Sequence, residues 1–134
     1  MIDFNTTFTK MGDMGHGEAN TLFDGLLLDG ETVHAAFTGT RGWVAFTDRR
    51  VIIVTAQGIT GKKKDYTTLP YSGIRAASVD TTDGFDADAN MELRIGDLGF
   101  SGLVGVATPC KIRLEFVPGV DVRDLERFVV DRIL

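Results

Sequence analysis

The sequence predicts a mainly β fold with some α: a bent, nearly closed antiparallel barrel of seven strands, capped by a C-terminal helix and preceded by a short N-terminal one. Three observations lead there. Short apolar runs, several alternating with polar residues, recur at hairpin spacing between Thr32 and Val117. Turn segments rich in Gly separate them, in a chain with 16 Gly and only 3 Pro. Residues 121–134 carry an apolar stripe at helical spacing. Several antiparallel strands with one long helix favour a curled barrel whose open end the helix plugs.

Residues 1–14 have no clear period and are expected as a flexible arm, with 15–134 as one domain. Between Gly15 and Leu28, Phe23, Leu26 and Leu27 fall at i, i+3 and i+4, which predicts a short helix closed by Asp29-Gly30. Strands follow at Thr32–Thr38, Trp43–Thr47 and Val51–Thr55, the last apolar on both faces. The segment 56–61 is a turn. Lys62–Leu69 and Ile74–Asp80 are further strands, separated by Pro70-Tyr71-Ser72-Gly73. An acidic loop over 81–90 leads to a strand at Met91–Ile95. The glycine-rich 96–109 supports no element. Lys111–Val117 alternates strictly, with Ile112, Leu114 and Phe116 inward. In the final helix Asp121 is the expected N-cap, Asp124 suits the positive first turn, and Val122, Leu125, Val129 and Ile133 form the buried stripe.

A chain of 134 residues suits one domain. The net charge of −5 disfavours a general nucleic-acid binder or a binder of anionic membranes, which need a dominant positive field. The single cysteine, Cys110, excludes an intrachain disulfide and fits a reducing compartment. Residues 1–10 lack a basic head and apolar core, and no apolar run approaches the ~20 residues of a membrane span. The expectation is a soluble, cytoplasmic protein.

One stretch, residues 41–74, carries a family resemblance. Phe46-Thr47-Asp48-Arg49-Arg50, Gln57-Gly58-Ile59-Thr60-Gly61-Lys62-Lys63, Tyr66, Leu69-Pro70-Tyr71 and Ile74 resemble the core signature of the bacterial pleckstrin-homology (PH) domain family. Leu28-Asp29-Gly30-Glu31 resembles that family's L-x-G-E, and Phe85-Asp86-Ala87-Asp88 its F-D-x-D. The departures are Arg41-Gly42, where an acid usually follows the arginine, and the long glycine-rich segment. The resemblance implies the seven-stranded PH barrel with a capping helix. It also implies ring-like homo-oligomers in some members and no general biochemical activity.

The residues offer one candidate binding site, for an anion or lipid: Arg41, Arg49, Arg50, Lys62, Lys63 and Lys64. In a strand, Lys62 and Lys64 share one face and Lys63 the other, so the triplet is not one cluster. Its plainer reading is a charged strand end that keeps an edge soluble. Arg49 and Arg50 have a structural alternative in local pairing with acids such as Asp48. The first hairpin loop has one basic residue, whereas inositide-binding members of the wider superfamily carry several. Asp80, Asp83, Asp86 and Asp88 lack the EF-hand register, so no metal is assigned. His16, His34 and Cys110 form no catalytic pattern, and no catalytic residue or cofactor is expected. The functional expectation is a non-enzymatic interaction and scaffold module forming a homo-oligomer. The apolar faces of 51–54 support it, since the helix or another subunit must cover one of them. An unidentified protein partner is a further class, and nucleic acid is not expected. The alternative is an anion- or membrane-surface sensor built around Lys62–Lys64.

Overall fold

The computed structural model describes residues 6–57, 62–81, 88–96 and 110–134. Its elements are β1 (Thr7–Asp13), α1 (His16–Phe23), β2 (Val33–Thr38), β3 (Gly42–Thr47), β4 (Arg50–Gln57), β5 (Lys63–Pro70), a 3-10 turn (Tyr71–Gly73), β6 (Ile74–Thr81), β7 (Ala89–Ile95), β8 (Cys110–Phe116) and α2 (Val122–Ile133). The loops expected at 58–61, 82–87 and 97–109 lie outside the described residues.

The strands form one eight-stranded sheet in the order β5-β4-β3-β2-β1-β8-β7-β6. Two antiparallel meanders, β2–β5 and β6–β8, are joined side by side through β1. The sheet curls into a half-barrel, so that Val51, Ile53 and Leu69 from one end share a core with Ile74, Met91, Leu93, Ile112 and Leu114 from the other. The seven expected strands are β2 to β8.

The eighth strand is a correction. Residues 7–13, expected as part of a loose arm, form β1 at the centre of the sheet, with Phe8 and Met11 fully buried. The N-terminal half of β1 pairs parallel with β8 and its end pairs antiparallel with β2. The register breaks between Phe8 and Met11, where Lys10 takes φ 55°. That irregularity puts two apolar residues three apart on one face and erases the period of two that marks a strand. The approach of β1 also requires Gly39, because a Cβ there would meet Thr9 O and Met11 Sδ.

Helix α1 is shorter than the apolar stripe implies. It ends at Phe23, and Gly25 turns the chain at φ 79°. Leu26 and Leu27 continue onto the same apolar cluster without being helical. That cluster covers the convex face of β2–β4. Ala36, Ala45 and Ile52 lie in one cross-strand row, and the two alanines leave room for the buried Phe23. This accounts for β4: Val51 and Ile53 face the barrel core, while Ile52 and Val54 face the α1 cluster. Intrachain packing thus covers both faces of 51–54, and the strand gives no reason of its own to invoke a second subunit.

Helix α2 lies over β6, β7 and the 3-10 turn, with Val122, Leu125 and Val129 buried in the barrel core. Asp121 caps it by accepting from the Asp124 amide at 3.1 Å. Arg132 occupies the last turn, where the helix dipole favours a cation.

Leu125→Ala should cost ~2–5 kcal/mol and lower the melting temperature by several degrees. Phe8→Ala should cost ~3–5 kcal/mol. An unchanged thermal melt for either variant would show that its element is not part of the folded core.

Candidate functional site

The most elaborate polar arrangement lies where the loop before β2 meets the β3–β4 turn. Glu31 is 6% exposed, so its carboxylate needs partners. Arg50 supplies two, Nε to Oε2 at 2.9 Å and an Nη to Oε1 at 3.0 Å. The Thr47 hydroxyl donates to Oε2 at 2.6 Å, and the Leu28 amide to Oε1 at 2.9 Å. The guanidinium also donates to Thr68 Oγ1 and Leu26 O, both at 2.7 Å. Thr47 Oγ1 accepts from the amides of Arg49 and Arg50, which fixes the turn. The buried Tyr71 hydroxyl donates to Thr47 O at 2.6 Å.

The Arg50 guanidinium, assisted by the Thr47 and Leu28 bonds, holds the Glu31 carboxyl down at about 2. Burial pushes the Tyr71 phenol well above its ordinary value. At neutral pH Glu31 is thus held as an acceptor and Tyr71 as a donor.

A second cluster fixes α2 to β2. His34 Nε2 lies 2.9 Å from Asp124 Oδ2. Its ring stacks on Phe128 with centroids 3.9 Å apart and planes 10° from parallel. The Arg132 guanidinium lies 3.5 Å from the Phe128 centroid. Two groups this close to one centroid must occupy opposite faces, so Phe128 is sandwiched. Arg132 also donates to Asp48 O at 3.3 Å. The groove alongside is lined by residues including His34, Asp124, Arg127, Phe128 and Arg132. Among the described residues that line it, none is a Ser, Thr, Cys or Tyr.

The six basic candidates separate. Arg50 belongs to the Glu31 network, and Arg49 sits beside it with an exposed side chain. Lys62, Lys63, Lys64 and Arg41 are exposed at the opposite end of β4. There Arg41 O accepts from the Ala56 amide at 3.5 Å, and Ala56 is the cross-strand partner of Lys64. The seven residue steps from Arg50 to Gln57 span about 23 Å at ~3.3 Å each, so no single anion reaches both groups. Lys64 Nζ lies 5.2 Å from the Trp43 ring centroid. Asp80 and Asp88 are exposed, whereas Asp83 and Asp86 lie outside the described residues. Among the described residues no three His, Cys, Asp or Glu side chains could hold a metal ion. Cys110 opens β8 and is half-buried.

These features coincide with a family signature. A family model for the bacterial PH domain matches residues 4–133. The chain belongs to the bacterial PH domain family. Its fold resembles a DUF1696 family protein with a pleckstrin-homology domain from Shewanella loihica PV-4. That match has a TM-score of 0.67 and 26% identity, covering 94% of this chain and 99% of that one. It also resembles a pleckstrin-homology domain from Shewanella amazonensis SB2B. There the TM-score is 0.59 with 28% identity, over 89% of this chain and 98% of the other. In sequence it is 46% identical over 70 residues to YjqA of Bacillus subtilis, described as an uncharacterized protein. That alignment spans 52% of this chain and 56% of YjqA. Among the described residues no helix is long and apolar enough to cross a membrane.

Within the PH domain the signature residues have a structural use. Glu31 of the L-x-G-E element, Thr47 and Arg50 of Phe46-Thr47-Asp48-Arg49-Arg50, and Tyr71 of Leu69-Pro70-Tyr71 meet in one hydrogen-bonded network. Local pairing of Arg50 with Asp48 is replaced by pairing with Glu31. Asp48 instead accepts from the Thr32 amide at 2.9 Å. The one sequence signal for this pairing was the presence of both motifs, since nothing local connects residues 19 apart.

Arg50→Ala leaves the Glu31 carboxylate buried and unpaired and should cost ~3–5 kcal/mol in denaturant unfolding. The carboxyl is more acidic folded than unfolded, where it titrates near 4.5. Its contribution is therefore complete above that value and declines as pH falls toward about 2. Glu31→Gln should remove that part of the acid sensitivity, giving a flatter stability profile below pH 4.5.

Proposed function

We propose that this PH domain is a non-enzymatic interaction module that self-associates and acts as a scaffold. The observation that supports it most is the use of the signature side chains. Glu31, Thr47, Arg50 and Tyr71 satisfy one another inside the fold instead of converging on a cleft. What remains for function is surface, and the PH fold is one on which sites are added rather than built in. Light scattering against concentration tests self-association. The expected result is a mass above that of the 14.6 kDa chain that grows with concentration. A strict monomer throughout would overturn the assembly reading.

A second reading has its own observation. Arg41 and Lys62–Lys64 are exposed at one end of the sheet, with Trp43 beside Lys64. Cations next to a half-exposed tryptophan suit the surface of an anionic membrane. Salt-sensitive sedimentation with anionic vesicles is the expected outcome of that reading. Replacing Lys62, Lys63 and Lys64 together by Ala should weaken it by ~1 kcal/mol per lysine. Equal recovery with neutral and anionic vesicles would discard it.

A further inference from the structure

The apolar roof over the first meander is not closed. Between α1 and β3 it leaves a groove of about 480 Å³, lined by Met14, Gly17, Glu18, Thr21, Leu22 and Trp43. That volume suits a small molecule. Positions 17, 18, 21 and 22 share one side of α1, while Ala19 and Phe23 on the other pack against the sheet. Trp43 forms the opposite wall. Its partner on β4, Val54, belongs to the cluster under α1, which sets the indole on the same convex side. Lys64 comes in from the next row. It pairs with Ala56, two residues after Val54, and its Nζ lies 5.2 Å from the Trp43 ring centroid.

Two donors at the Trp43 wall are unused. Among the described residues, neither Lys64 Nζ nor the Trp43 indole N–H has a hydrogen-bond acceptor or a carboxylate partner. The Thr21 hydroxyl, by contrast, is committed to Gly17 O at 2.9 Å. The one carboxylate in the lining, Glu18, stands on the α1 side, so a bound anion is driven toward Lys64. The groove thus combines apolar walls at Met14, Leu22 and the indole with a positive charge and an N–H at one side.

We propose that this groove binds a free medium-chain fatty carboxylate, with its tail against Met14, Leu22 and the indole and its head on Lys64 and the Trp43 N–H. The ammonium–carboxylate bond is charge-assisted, and the tail leaves water. A phospholipid fits less well, because it brings two tails to one short groove. The net charge of −5 also opposes an anionic bilayer. A peptide would need backbone partners along its length, and the one hydroxyl of the lining already donates within α1. The site is independent of self-association, and it requires no vesicle surface.

Trp43 is the single tryptophan of the chain, so its emission reports the site directly. Decanoate, kept below its micelle-forming concentration, should shift that emission saturably, with one molecule bound per chain by calorimetry. Decanol, with the same tail and no charge, should bind roughly tenfold more weakly. Lys64→Ala should weaken decanoate by a similar factor and leave decanol unchanged, and its exposed side chain makes a parent-like melt the expectation. Gly17→Leu should fill the groove. A Cβ there would meet nothing within 4 Å, and leucine is the better helix former, so this variant should melt at or above the parent while losing both probes. An emission change that never saturates would overturn the proposal, as would decanol binding the parent chain as tightly as decanoate. Unchanged decanoate affinity in Lys64→Ala or in folded Gly17→Leu would overturn it as well. So would tighter binding of decyltrimethylammonium than of decanoate, which would assign the groove to Glu18.

Discussion

The Glu31–Arg50 pair is the constraint around which the first half of the fold is arranged. A buried carboxylate must be matched, and the matching groups come from distant places in the chain: Thr47 and Arg50 at the β3–β4 turn, the Leu28 amide before β2, and Thr68 on β5 through the guanidinium. Tyr71 ties in the start of the second meander by reaching Thr47 O. Burying an ion pair gains little over burying apolar groups of the same size, but losing one member is costly. Such a pair therefore acts on specificity: an alternative register of β3 against β4 would strand a charge.

The two convex faces of the half-barrel are finished in different ways. Over β2–β4 the face is apolar and roofed by α1, Leu26 and Leu27. Over β7–β8 it is charged. Glu92 stands opposite Arg113 and lies within ion-pair range of Arg94, Lys111 and Arg113, at 3.2 to 3.9 Å. The Glu92 side chain is only 15% exposed, and the three cations around it, which reach further into solvent, keep its charge compensated. Among the described residues, the division leaves the lysine-bearing end of β4 and β5 as a distinctive exposed surface.

Strands β2 to β8 and helix α2 were legible in the sequence because their signals are local: alternation in Lys111–Phe116, a capped stripe from Asp121, turn residues between strands. The bacterial PH resemblance lay in residues 41–74 and carried the fold with it. Strand β1 was not legible, because the break at Lys10 sets Phe8 and Met11 three residues apart and hides the alternation. The end of α1 was overextended because Leu26 and Leu27 pack on the same cluster as Phe23 after the helix has stopped. The basic residues looked like one site because they lie close in sequence. A strand places its ends far apart, and β4 carries Arg50 and the lysine triplet's neighbours to opposite sides. The partner of Arg50 was invisible for the converse reason, since Glu31 is remote in sequence and adjacent in space.

The position of β1 bears on how the chain reaches its native state. This strand lies parallel to β8, with Thr7 beside Arg113 and Phe8 beside Leu114. Both meanders can zip up through hairpins between neighbours, which is fast. The strand that unites them leaves the ribosome before the other seven and needs β8, the last of them, as its partner. Closing so long a loop raises the contact order and slows the final step. During synthesis β1 can pair with β2 early, but Phe8 and Met11 lack their neighbours on β8 until that strand emerges, and an incompletely covered apolar strand is open to a chaperone or to misassociation with a neighbour.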